Sequence, residues 1–314
     1  MTENPSLPAD RDNQTYVSVS AIAAGHFFLP YEEVFEGFST AANQGAQMEG
    51  SVVPSFAFLL QHPSHGKLLF DLGLRKHGDG YPPTLKENLE VFSVDCSQDI
   101  VDQLRAGGTE PGDVKYVIYS HLHFDHVGDL TPFHHATVVM SADARERVES
   151  AYPHNTHSQV QAIPESQLIR YLHFSAEDLT DTVGMPPSTL VAPLGEFDRA
   201  LDFFSDGSLY ICDAPGHMPG HITALVRVAP NTFVLLAADS CHNRQCYDAR
   251  STNGGVIRII SPENYEDWAV AKETVLKVTR MSKRNVIVIL AHEAEREEEM
   301  PMFPLTLNGW AGNR

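Results

Sequence analysis

Runs of apolar residues, broken by short polar turns, mark out the strands of this chain. Residues 16–21, 55–61 and 67–71 are the first three such runs. His62-Pro63-Ser64-His65-Gly66 separates the second from the third and predicts a hairpin turn. Gly73, just after Phe70-Asp71-Leu72, predicts a sharp change of direction at the strand's end, and Pro82 and Pro83 follow in a loop. Residues 97–106 then take a helical period. Ser97 is placed to cap, Ile100, Val101 and Leu104 form a stripe, and Gly107-Gly108 end it. Residues 114–119 predict a buried strand and 137–141 another.

Residues 142–206 break this rhythm. They carry Pro153, Pro164, Pro186, Pro187 and Pro193 together with Tyr152, Tyr171, Phe174, Phe203 and Phe204. This predicts an irregular insertion with one or two helices, not a separate domain. Strand character returns at 208–213, 222–228 and 232–238. Residues 263–280 predict a long helix with Trp268, Ala271, Val275 and Val278 on one side, and 285–290 a last strand. The acidic stretch 293–299 reads as a solvated surface. Strands, helix and strand occur twice in succession, which predicts a single α/β sandwich over residues 15–314. Polar residues 1–14 read as a flexible N-terminal arm.

Composition narrows the partners. Hydrophobic residues make up 42% of the chain, enough for a sizeable core. Lys and Arg number 22 against 41 Asp and Glu, a net charge of -19 that repels nucleic acid and anionic membranes. No apolar run is long enough to span a bilayer, and the first residues lack the features of a secretory signal. The expectation is a cytoplasmic monomer or homodimer acting on a small molecule. Cys96, Cys212, Cys241 and Cys246 show no CxxC spacing, against a zinc knuckle or a disulfide scaffold.

The 16 histidines are unevenly placed. Ser120-His121-Leu122-His123-Phe124-Asp125-His126 follows an apolar strand directly. In an extended or turning loop His121 and His123 point the same way, and Asp125 and His126 reach a neighbouring position. Imidazole and carboxylate are the donors that zinc and similar divalent ions take. Without a metal, four such side chains buried at a strand end would leave donors and acceptors unpaired. His217, Asp239 and His292 each lie just past the C-terminal end of another predicted strand, where α/β proteins bind their ligands.

This set, His121-x-His123-x-Asp125-His126 followed by His217, Asp239 and His292, resembles the metallo-β-lactamase superfamily across residues 55–295. The resemblance implies a four-layer αβ/βα sandwich in a single domain, with two Zn2+ or other divalent ions at one edge. It implies that His121, His123 and His217 bind one ion, Asp125, His126 and His292 the other, and that Asp239 bridges both. His-Leu-His-Phe-Asp-His-Val-Gly and Pro-Gly-His-Met-Pro-Gly-His are most similar to the N-acyl homoserine lactonase group and its fungal relatives. So is the 22-residue step from His217 to Asp239. Ring-opening lactamases of the same branch are similar too. The 90 residues between His126 and His217 are many for a compact lactonase, and suggest an insertion that reshapes the pocket. The tyrosine that assists the carbonyl in those lactonases has no counterpart close after the first cluster, and after Asp239 the chain reads Ser240-Cys241-His242-Asn243.

The function implied is a dinuclear zinc hydrolase that opens a lactone or lactam by attack of a metal-bound hydroxide, with Asp125 orienting the nucleophile and relaying its proton. A thioesterase of glyoxalase II or acyl-carrier type is the alternative, and an iron-dependent sulfur oxygenase a third. A nuclease is disfavoured by the charge, a noncatalytic module by the complete donor set. His242, Phe203 and Phe204 are the candidate substrate contacts, Phe203 and Phe204 having core as their other reading. His221 reads as a supporting residue, Asp71 as stabilising its loop, and Cys241 and Cys246 as structural thiols.

Overall fold

The computed structural model describes residues 6–38, 48–174, 191–284 and 286–314. Pro186, Pro187 and Asn285 therefore lie outside the described residues. Two six-stranded sheets face each other. The first contains β1 (Ser18–Pro30), β2 (Gly50–His62), β3 (Gly66–Phe70), β4 (Val114–Ile118), β5 (Thr137–Ser141) and β6 (Ile169–Leu172), in that order. Its first three strands run antiparallel; β3 to β6 run parallel. The second sheet contains β7 (Ala192–Leu194), β8 (Phe197–Asp202), β9 (Leu209–Asp213), β10 (Ile222–Ala229), β11 (Thr232–Ala238) and β12 (Val286–Leu290). Only its β11–β12 pair is parallel.

The strands read as continuous apolar runs because both faces of each sheet are covered. Leu68 and Phe70 point to the layer between the sheets and meet Val226, Val234 and Leu236 there. Leu69, between them, points outward to a helix, α3 (Ile100–Ala106), through Ile100, Val101 and Leu104. On the other side Leu225, Leu235 and Val288 pack against Ala271, Val275 and Val278 of α6 (Trp268–Met281). Helix, sheet, sheet and helix thus form the expected four layers in a single α/β domain. Each fully buried Leu or Phe in these layers contributes about 2 kcal/mol.

Four local expectations need correction. Asp99, not Ser97, caps α3: its carboxylate accepts the Val101 and Asp102 amides at 3.0 Å, so the helix starts at Ile100. Likewise α6 starts at Trp268 because Asp267 caps it through the Val270 amide. The supposed insertion also carries β6, β7 and β8, of which β6 and β7 are edge strands of the two sheets; its one α-helix among the described residues is the short α5 (Arg145–Glu149). Acidic residues 293–299 are not uniformly solvated. Glu293 is buried and pairs with Arg244 and Arg296, while α7 (Ala294–Glu299) follows it.

The described part of the N-terminal arm is docked. Arg227, on β10, is completely buried and stacks over Phe233 with 4.3 Å to the ring centre. Its guanidinium meets the Asp10 carboxylate at 2.5 Å and the Pro8 and Gly207 carbonyls at 2.9 Å. The Tyr16 hydroxyl donates to the other Asp10 oxygen at 2.7 Å. Burying a guanidinium is tolerable only with such partners, so residues 8–10 are held by charge as well as packing. Asp10→Ala is expected to lower the unfolding free energy by about 2–3 kcal/mol, less than for a fully enclosed pair because Asp10 keeps one side in water. An unchanged urea midpoint would show that the carbonyls suffice.

Candidate metal centre

The site forms where strands of both sheets end. After β4 the chain passes through Tyr119 and Ser120 to His121 and His123, then into a single helical turn, α4 (Phe124–Val127), which carries Asp125 and His126. After β9, Ala214-Pro215-Gly216 turns the chain to His217. Gly216 has φ +120°, and a Cβ there would meet the Ala271 amide nitrogen at 2.3 Å, so the turn requires glycine. Asp239 follows Ala238, whose φ of 44° turns the chain out of β11; His292 follows β12. Positive φ in a non-glycine residue is costly and clusters at functional sites.

The donor atoms fall into two groups sharing Asp239. In one, His121 Nε2, His123 Nδ1 and His217 Nε2 lie 2.9–3.1 Å from one another, with Asp239 Oδ2 3.4 Å from His217 Nε2 and 3.7 Å from His121 Nε2. In the other, Asp239 Oδ1 lies 3.3 Å from His126 Nε2 and 3.2 Å from His292 Nε2, and Asp125 Oδ2 lies 3.2 Å from His292 Nε2. The two oxygens of one carboxylate face different groups. His126 Nε2 and Asp239 Oδ1 are buried without a hydrogen-bond partner, close to one another but misaligned. Orphaned, converging lone pairs are the arrangement a divalent ion fits.

The electrostatics agree. Burial pushes His123 and His221 each down to about 4, nearby carboxylates opposing, so both are neutral at pH 7. Burial also lowers His126 and His292, but Asp239 and Asp125 outweigh it and raise both, His292 to about 10. The carboxylates in the second group call for positive charge, supplied by protons on these imidazoles or by a divalent ion.

A surrounding shell fixes the donors. Asp71, with φ 62°, accepts the Ser120 amide and hydroxyl at 2.7 Å and lies 2.8 Å from His126 Nδ1. The Ser120 hydroxyl also lies 2.9 Å from His121 Nδ1. His292 Nδ1 donates to the Pro54 carbonyl, and the Ser55 hydroxyl donates to the Asp125 carbonyl. His221 Nδ1 donates to the Ala214 carbonyl while its Nε2 accepts the Asp239 amide at 3.2 Å. Such partners set tautomer and ring orientation.

A cavity of about 260 Å³ opens on the cluster. Apolar Phe27, Leu29, Leu85, Phe92 and Phe124 line it together with polar Glu33, Asn88, Gln159, Glu263 and Asn264. His242 lines it too, with Nε2 3.2 Å from Asp239 Oδ2 and Nδ1 3.0 Å from the Tyr265 hydroxyl. An Nε2–H donating to Asp239 leaves Nδ1 to accept from Tyr265. The position of Tyr265 near the cluster had no local signal, since it stands 26 residues beyond Asp239. Phe203 and Phe204 do not reach the cavity. They follow β8, whose end pairs with the start of β9, the opposite end from His217, and they pack on Tyr116 and His65. Tyr152, Tyr171 and Phe174 do not line it either; among the described residues of 142–206 Gln159 alone does. The pocket wall comes instead from the β1–α1 (Tyr31–Val34) region, α2 (Lys86–Val91) and its flanks, and α4.

Fold and donor set together define a metal-dependent hydrolase. The chain belongs to the metallo-beta-lactamase superfamily, which its residues 50–280 match. It is 31% identical over 300 residues to the metallo-hydrolase mfmC of Annulohypoxylon moriforme, covering 83% of this chain and 75% of that one. It is 33% identical over 246 residues to the gamma-lactamase FDB1 of Fusarium pseudograminearum (strain CS3096), covering 74% and 52% respectively. The chain spans about a third of the length of other curated relatives. A solved N-acyl homoserine lactone hydrolase, with the product N-hexanoyl-L-homoserine at its catalytic metal center, superposes with a TM-score of 0.64 at 18% identity, covering 93% and 99% of the two chains. Among the described residues no helix is long and apolar enough to cross a membrane.

Proposed function

We propose that this lactonase- or lactamase-type hydrolase holds two zinc ions and opens a cyclic ester or amide. The observation that carries the reading is Asp239, whose oxygens face two separate groups of buried donors. His121, His123 and His217 would hold one ion, Asp125, His126 and His292 the other, and Asp239 both. Zinc bound there would generate the nucleophile from water at neutral pH and polarise the carbonyl. Asp125, fixed through its backbone by Ser55, would orient the attacking water and accept its proton. His242, held by Tyr265, faces the cavity and contacts the substrate near the reacting centre. A ring keeps its leaving group tethered, so the product is a hydroxy acid or an amino acid.

The lining favours ring opening over the thioesterase alternative. Neither Lys nor Arg lines the cavity among the described residues, while Glu33 and Glu263 do. Acyl carriers and coenzyme thioesters bring anionic groups that such a wall repels. The gamma-lactamase and lactone hydrolase among the similar proteins support the same choice. The test is metal analysis of the purified protein with a panel of lactones, lactams and acyl-thioesters. About two divalent ions per chain and a higher kcat/KM on lactones or lactams are expected. Faster turnover of thioesters than of any ring would overturn the reading.

A further inference from the structure

The cavity lining combines an aromatic cluster with carboxylates outside the donor groups, and the reacting groups account for neither. Phe27, Phe92 and Phe124 form an aromatic cluster beside His292. Phe92 and Phe124 stack at 6.1 Å with 13° between planes, Phe27 meets Phe92 edge-on at 6.0 Å, and the His292 ring lies 5.0 Å from Phe27. Such a wall receives a flat ring by stacking or edge contact.

Glu33 stands half-buried in the wall of the same cavity. Its carboxylate has no hydrogen-bond or ion-pair partner among the described residues. Burial raises its pKa, His242 opposes this, and Glu263 and Glu32 add to it. The position is built. Asn264 donates its side-chain amide to the Glu33 carbonyl at 3.0 Å. The Ser261 amide donates to the Val34 carbonyl and the Glu36 amide to the Ile259 carbonyl, each at 3.0 Å. These bonds strap the turn carrying Glu33 to the loop carrying Glu263, so both carboxylates stay at the cavity. A partly desolvated acceptor without a partner is a cost to the free protein that a ligand's donor removes.

Resting on the ring-opening reading, we propose that Glu33 is a specificity-determining residue. The substrate is an aromatic-fused lactone or lactam whose ring bears a hydrogen-bond donor, a hydroxyl or an amine, and no carboxylate. The aromatic ring packs against Phe27, Phe92 and Phe124, and its substituent donates to the Glu33 carboxylate. An anionic substituent placed there would face Glu33 and Glu263, with neither Lys nor Arg among the described lining residues to offset them.

The test compares 3,4-dihydrocoumarin with derivatives carrying a hydroxyl, an amino or a carboxyl group at each open position of the aromatic ring. For wild-type holoenzyme, at least one hydroxyl or amino isomer should exceed the parent in kcat/KM by about tenfold or more, the range of a hydrogen bond to a charged group. Every carboxyl isomer should fall about tenfold below the parent. The hydroxyl and amino arms tell the two donors apart. Glu33→Ala should erase the donor preference and relieve the carboxyl exclusion, and Glu33→Gln should restore part of the preference through its amide oxygen. The loss should appear in KM, because the contact is remote from the reacting carbonyl and equal in ground and transition states. Metal content and melting temperature, measured on both variants, identify a merely structural effect. A donor preference that survives Glu33→Ala, or variants that lose kcat together with bound metal, would overturn the proposal. Wild-type hydrolysis of these rings without any donor preference would sink this inference alone. No hydrolysis of any lactone or lactam would remove the ring-opening reading and this inference with it.

Discussion

Asp239→Ala is expected to strip both ions from the protein and to slow ring opening by about a thousandfold or more. The reason lies in the two directions its carboxylate faces. Oδ2 approaches His217 and Oδ1 approaches His126 and His292, so one side chain completes both donor groups. A histidine offers one lone pair to a metal and cannot do this. The deletion also removes one of the two carboxylates, Asp239 and Asp125, that favour positive charge in the second group. Elemental analysis and steady-state rates on the same preparation give the answer. One ion lost and one retained would make Asp239 a ligand of a single group, and two retained with a full rate would place the bridge elsewhere.

Asp71→Asn should weaken metal binding by about 10–100-fold, with the larger effect on the ion nearer His126. Asparagine is almost the same shape and tolerates the left-handed backbone found there, so the fold should survive. The hydrogen bonds do not. Asp71 accepts the Ser120 amide on one oxygen, and on the other the Ser120 hydroxyl, with His126 Nδ1 2.8 Å away. An amide group sets its own N–H against one of these donors, and the imidazole loses the carboxylate that holds its tautomer. His121 is affected less because Asp71 reaches it only through Ser120. Competition titration with a metal indicator would resolve the two affinities. Equal losses at both positions would mean that Asp71 supports the whole loop and not His126 in particular.

Much of the architecture was legible because burial on both faces writes strands as plain apolar runs. Val114 to Ile118, Thr137 to Ser141 and Thr232 to Ala238 stand out this way, and the donor-type residues follow the strand ends by only a few positions. The cavity wall had no such local signature. Phe27, Glu33, Leu85, Phe92 and Glu263 come together only after the sheets and their connections have packed. None of the described prolines and aromatics of residues 142–206 belongs to it. Tyr171 and Pro193 lie on the edge strands β6 and β7, and Phe174, Phe203 and Phe204 pack in or against the core. Phe124 was the exception, a wall residue standing inside the histidine motif itself.

The order of the strands has a further consequence. Each sheet is contiguous in the chain, and each group of donors draws on both. His121 and His123 come from the first half and His217 and Asp239 from the second; Asp125 and His126 come from the first half and Asp239 and His292 from the second. An ion held in either group is therefore a cross-link, closing a loop of roughly a hundred residues or more as a disulfide would, but reversibly and in proportion to free metal. With ions bound in this way, metal supply would govern how firmly the two halves of the molecule stay together as well as turnover.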